Sequence, residues 1–202
     1  MKRTINSLKS RDLKLSNIRI SKFFDTNTII FILMGFLLSR SLLIDSMAPL
    51  GVAFFLCICK FDRYKYPVFT STLLGIVLSG NSTSAIFKYS IALTAILAFS
   101  IYLKKIPSIF KISIVGVSIL LAISIGQTLV GSKYIYDLFL IGMEVVILFI
   151  STYVFSFGVS LIINANNRVS VRLEEAISIS LLVTFSIMGI GNITTFGISI
   201  RS

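Results

Sequence analysis

Seven apolar runs follow one another along this chain, broken only by short polar or charged stretches. They cover residues 28–44, 46–61, 66–79, 86–103, 107–130, 135–163 and 176–193. A helix needs about 20 mostly apolar residues to cross the hydrocarbon core of a bilayer. The runs lack the apolar/polar alternation of a half-buried strand, and in hydrocarbon each segment must satisfy its own backbone donors and acceptors. The expected fold class is therefore all-α: a polytopic helical membrane protein of about seven spans, with the first hairpin and the third span short. Recurrence along the whole length excludes a single-span anchor.

Composition agrees. Of 202 residues, 55% are apolar and only 13% charged, whereas soluble domains carry about 25% charged residues. So few charges cannot build the polar skin of a solvated globule. Histidine is absent, which removes the commonest general base, proton relay and metal ligand. Cys57 and Cys59 stand one residue apart and point to nearly opposite faces of a helix, so they are expected to pack as small apolar residues rather than to bridge.

The net charge of +11 would suit nucleic acid if the cations were spread along the chain. They are not, and nucleic acid is not an expected partner. Residues 1–27 form a basic arm carrying Lys2, Arg3, Lys9, Arg11, Lys14, Arg19 and Lys22. If the arm is cytoplasmic and each run crosses once, the inner side also holds Lys60, Arg63, Lys65, Lys104, Lys105, Lys111, Arg168 and Arg172. The outer side holds only Arg40, Lys88, Lys133 and Arg201. Fifteen against four is a positive-inside bias and places the N-terminus in the cytoplasm. The bias does not separate short crossings from re-entrant loops that return to the same side, and both remain open for the first hairpin and for the third run. Residues 28–202 are read as one multi-span membrane domain. Its end at Arg201-Ser202, just past a span, is expected to be a cut within a longer membrane region.

Ionisable residues inside spans are functional candidates by default. Arg40 and Asp45, five residues apart, are expected at the outer end of the first hairpin, either as an interfacial pair or as a gating pair. Asp137 is expected at the outer interface. Glu144 lies seven residues further, about 10 Å deeper at 1.5 Å per residue. Three roles stand open for it: an internally bonded packing residue, a partner of Arg40 or of another protein's helix, or part of a proton or cation pathway. Glu174 and Glu175 complement the N-terminal dipole of the last helix. Gly75, Gly116, Gly126, Gly142, Gly158 and Gly189 lie within spans, where small residues let helix backbones approach closely. There is no phosphate loop, no nucleophile elbow and no metal-ligand cluster, so no catalytic, cofactor-binding or metal-binding residue is assigned.

The first hairpin carries a more specific pattern. Gly35-Phe36-Leu37-Leu38-Ser39-Arg40 leads through Asp45 into Ala48-Pro49-Leu50-Gly51-Val52-Ala53-Phe54-Phe55. This resembles the N-terminal membrane region of stage II sporulation protein E, a sporulation serine phosphatase family of endospore-forming bacteria. The motif residues are Gly35, Arg40, Ala48, Pro49, Gly51, Phe54 and Phe55. Asp45 stands where the family often has glutamate, and Ser39 where it often has glycine. The resemblance implies about ten membrane spans, then a cytoplasmic region that binds the tubulin-like division protein, then a PPM-type phosphatase domain requiring manganese or magnesium. That domain acts on an anti-anti-sigma factor after asymmetric division. None of this catalytic machinery lies in the present chain, which is expected to be a non-catalytic anchor. The resemblance further implies a cell-membrane location with enrichment at the polar septum. Its expected partners are the lipid bilayer, further copies of the chain, and division and sporulation proteins. The rival reading is a small polytopic transporter or substrate-binding membrane component, which would use Glu144.

Overall fold

The computed structural model describes residues 25–43, 47–102, 108–130, 135–165 and 170–191. Among them are seven helices: α1 (Thr26–Arg40), α2 (Pro49–Ile58), α3 (Asp62–Val77), α4 (Thr83–Tyr102), α5 (Ile109–Val130), α6 (Ile135–Asn164) and α7 (Leu173–Gly191). Each expected run holds one helix, and no strand occurs among the described residues. Residues 1–24 of the basic arm, Asp45 and Pro107 lie outside the described residues, and α1 already begins at Thr26.

Local chemistry sets the helix starts. Pro49 opens α2, where its fixed φ suits the helix and its missing N–H costs nothing. Asp62 opens α3 four residues ahead of the apolar run, an acid complementing the helix dipole. Leu173 begins α7, and Glu175 Oε2 accepts the Arg172 backbone N–H at 3.1 Å, half of a capping box. The turn between α3 and α4 passes through Gly80 at φ +72°, a left-handed conformation that glycine adopts without strain.

Paired residues fix the direction of every helix. Asp25, Phe31, Gly35 and Phe36 meet Arg63, Tyr64, Val68 and Gly75 in rising order, so α1 and α3 run parallel. Ser39 meets Gly51 while Phe31 meets Phe54, so α2 returns against α1. Gln127 of α5 reaches Ser84 of α4, and Phe155 and Gly158 of α6 meet Phe185 and Ser178 of α7, both antiparallel. Ala48, at the start of α2, meets Tyr89, which meets Glu144 of α6, and Cys57 meets Thr152, so α6 runs with α2. It follows that α7 runs with α1, bringing Gly189 onto Leu37. Thus α1, α3, α5 and α7 point one way and α2, α4 and α6 the other.

Burial is graded from the centre outward. All ten residues of α2 are buried. Only 28% of the apolar windows of α4, α5 and α7 is covered, and 39% of that of α6. Their outer faces expose Phe87, Ile91, Phe110, Ile150 and Ile187, among others. Hydroxyls on those faces do not need water. Thr94, Ser118, Ser180 and Thr184 each donate to a carbonyl four residues back in their own helix, at 2.8 to 3.0 Å. An apolar surface with self-satisfied hydroxyls suits hydrocarbon rather than water.

Length separates two groups of helices. At 1.5 Å per residue α1, α2 and α3 span about 22, 15 and 24 Å, less than the roughly 30 Å hydrocarbon core. The four helices α4 to α7 are long and apolar enough to cross a membrane.

Candidate functional site

The fully buried Glu144 carboxylate is the centre of a polar cluster inside the bundle. It sits nine residues into α6, about 13 Å below that helix's first residue. Lys88 of α4 donates from Nζ to Oε2 in an ion pair. The neighbouring Tyr89 donates its hydroxyl to Oε1 at 2.5 Å. The Tyr89 oxygen in turn accepts the Ala48 backbone N–H at 2.9 Å. A chain of donors therefore runs from the start of α2, through α4, to an acid on α6.

The purpose of this arrangement follows from the start of α2. A helix N-terminus leaves its first backbone N–H groups without helical partners, and leaving one unmet in an apolar interior costs about 1–3 kcal/mol. Proline at position 49 removes one such donor outright. Tyr89 binds another. Glu144 and Lys88 then orient Tyr89. Adjacent residues 88 and 89 both reach one carboxylate, which leaves each Glu144 oxygen with a donor from the chain itself.

The hairpin motif is drawn together on the other side of α2. A Cβ added to Gly51 would come within 2.6 Å of Ser39 Cβ, and one on Gly35 within 3.0 Å of Ser71 Oγ. One on Gly75 would come within 2.5 Å of the Phe36 carbonyl oxygen. Ser39 is thus enclosed between two glycines, with its hydroxyl turned back to the Phe36 carbonyl at 2.8 Å. Phe54 lies 6.2 Å from Phe31 and Phe55 5.7 Å from Phe69, ring centre to ring centre. Gly35, Gly51, Phe54 and Phe55 hence form the α1–α2–α3 contact, whereas Ala48 and Pro49 are buried at the start of α2, with the Ala48 N–H on Tyr89 of α4.

The expected polar residues fare differently. Arg40 ends α1 with its side chain buried and its guanidinium 5.6 Å from the Phe36 ring centre. Its suggested partner Asp45 lies outside the described residues. Glu144 has an internal partner, and that partner is Lys88 rather than Arg40. Asp137 is the third residue of α6. Sequence reasoning missed Lys88 and Tyr89. It treated Lys88 as an outer-side cation at the head of a run, although a lysine already inside the helix deserved the same scrutiny as Glu144. Of the in-span glycines, Gly75, Gly116, Gly158 and Gly189 are close contacts, whereas Gly126 and Gly142 face open space. No group of three or more metal-ligating side chains occurs among the described residues.

Fold and site together define an all-helical bundle, stitched internally by glycines and one buried polar chain, with four helices of membrane-crossing length. Over residues 1–202 the sequence matches the family model described as SpoIIE, N-terminal domain, and the chain belongs to that family. The resemblance seen in the first hairpin thus extends over the whole sequence. No curated protein and no solved structure matches it.

Proposed function

We propose that this chain is the membrane-anchoring and localisation region of a SpoIIE-like phosphatase acting in asymmetric division and forespore sigma-factor activation, and that it is itself non-catalytic. The observation carrying this reading is the family match over residues 1–202. The exposed apolar faces of α4 to α7 support its embedding in lipid. In this reading residues 1–27 are a cytoplasmic arm and residues 28–202 a multi-pass membrane domain. The four helices of membrane-crossing length support a multi-pass arrangement, and the positive-inside bias of the sequence supports a cytoplasmic N-terminus. Helix–helix association into homo-oligomers and contacts with division and sporulation proteins complete the proposal. A manganese- or magnesium-dependent phosphatase domain would be carried elsewhere in the full-length protein.

A fluorescent fusion in sporulating cells tests it. Enrichment at the polar septum is the expected result. An even distribution around the cell contradicts the localisation role.

A transport reading draws on one observation, that the short helix α2 begins beside a buried acid as discontinuous transporter helices do. Glu144→Gln separates the two. The anchor keeps its septal enrichment, whereas a transporter using this carboxylate loses its activity.

A further inference from the structure

The alternating directions bring the starts of α1, α3, α5 and α7 to the same end as the finishes of α2, α4 and α6. The exposed cations of the described residues, Lys60, Arg63, Lys111 and Arg172, all lie at this end. At the opposite end Arg40 is buried and Lys88 is held against Glu144. The asymmetry is therefore one of accessible charge, beyond a simple count of basic residues.

Ion pairing narrows the set. Arg63 faces Asp25 at 3.4 Å, and the buried Lys65 faces Asp62 at 3.1 Å. Lys60, Lys111 and Arg172 have no ion-pair partner among the described residues. Leu56 packs on Gly116 where α2 and α5 cross in opposite directions, which brings Lys60, four residues on, level with the first turn of α5 and Lys111. Exposed tyrosines and leucine flank these cations at the same end: Tyr66, Tyr102 and Leu173. Tyrosine is enriched where a membrane meets water, and a cation near an anionic leaflet gains about 1 kcal/mol.

We infer that this end of the bundle, through Lys60, Lys111 and Arg172, engages the phosphate headgroups of anionic phospholipids in the adjoining leaflet. The inference rests on the membrane reading proposed above. The three cations stand on separate helix ends above apolar flanks. That layout fits a sheet of headgroups better than a single acidic peptide.

The full chain is reconstituted into vesicles of phosphatidylcholine alone and of phosphatidylcholine with phosphatidylglycerol. Flotation is scored, and the lipids retained after mild detergent extraction are counted by native mass spectrometry. Flotation with both vesicles and preferential retention of phosphatidylglycerol are expected. The triple variant Lys60→Gln, Lys111→Gln, Arg172→Gln should float equally well. Its preference should fall by on the order of fivefold for each cation removed. Equal retention of the two lipids by the floating wild-type protein overturns the inference and leaves the membrane reading standing. An unchanged preference in the triple variant also overturns it, reassigning these cations to an acidic protein partner. Failure to float with either vesicle overturns the membrane reading itself.

Discussion

The Tyr89 hydroxyl donates to Glu144 Oε1 at 2.5 Å while accepting the Ala48 backbone N–H at 2.9 Å, so one phenol couples α2, α4 and α6. Tyr89→Phe keeps the ring and deletes only the oxygen. It leaves the Ala48 N–H without its acceptor in an apolar interior, and the expected loss is about 1–3 kcal/mol. Unfolding in mixed micelles should register that loss with helical content unchanged. Tyr153→Phe, at a half-exposed ring on α6, should lie within about 0.5 kcal/mol of wild type.

The charge pair behaves differently from the phenol. Lys88→Met leaves a fully buried carboxylate without its cation, a change expected to cost about 3–5 kcal/mol. Glu144→Gln is milder, because the amide oxygen still accepts from Tyr89 and the Lys88 ammonium still stands 5.5 Å from the Tyr89 ring centre. The double variant Lys88→Met, Glu144→Met should recover most of the loss, since replacing both partners of a buried pair is often close to neutral. A double-mutant cycle on unfolding free energies checks this. Additive losses would mean that the pair is not coupled.

Glycines divide into two groups by what surrounds them. Gly75 and Gly189 lie against the backbone carbonyls of Phe36 and Leu37, and backbone cannot swing aside. Gly75→Ala and Gly189→Ala should each cost about 1–3 kcal/mol or prevent stable insertion. At Gly126 and Gly142 an added methyl would meet nothing within 4 Å, so alanine there should be neutral or stabilising by up to about 1 kcal/mol. Thermal stability of the purified variants in detergent distinguishes the two groups.

The periodic apolar runs made the helices legible, and the polar breaks located their ends to within a few residues. Helix starts were harder. Asp62 and Arg63 look like loop residues, yet α3 begins there because an acid favours the first turn and Tyr64 packs edge-on against Phe31 at 5.1 Å. The hairpin motif could be seen as a pattern but not as a contact, since Gly75 and Ser71 reach it from a helix more than 30 residues away in sequence from Gly35. Glu144 was visible because a lone acid in an apolar run is costly. Its partners were not, because the pairing of Lys88 and Tyr89 with it spans about 55 residues and depends on how α4 packs beside α6.

The most direct measurement of the central claim uses cysteine labelling in intact cells with a reagent that does not cross membranes. In a Cys57→Ser, Cys59→Ser background, Ser82→Cys marks the turn between α3 and α4, and Lys60→Cys marks the cationic end. Labelling of Ser82→Cys in intact cells, with Lys60→Cys labelled only after permeabilisation, is the predicted result. Labelling of Lys60→Cys from outside while Ser82→Cys stays protected would contradict it, as would recovery of the protein in the soluble fraction.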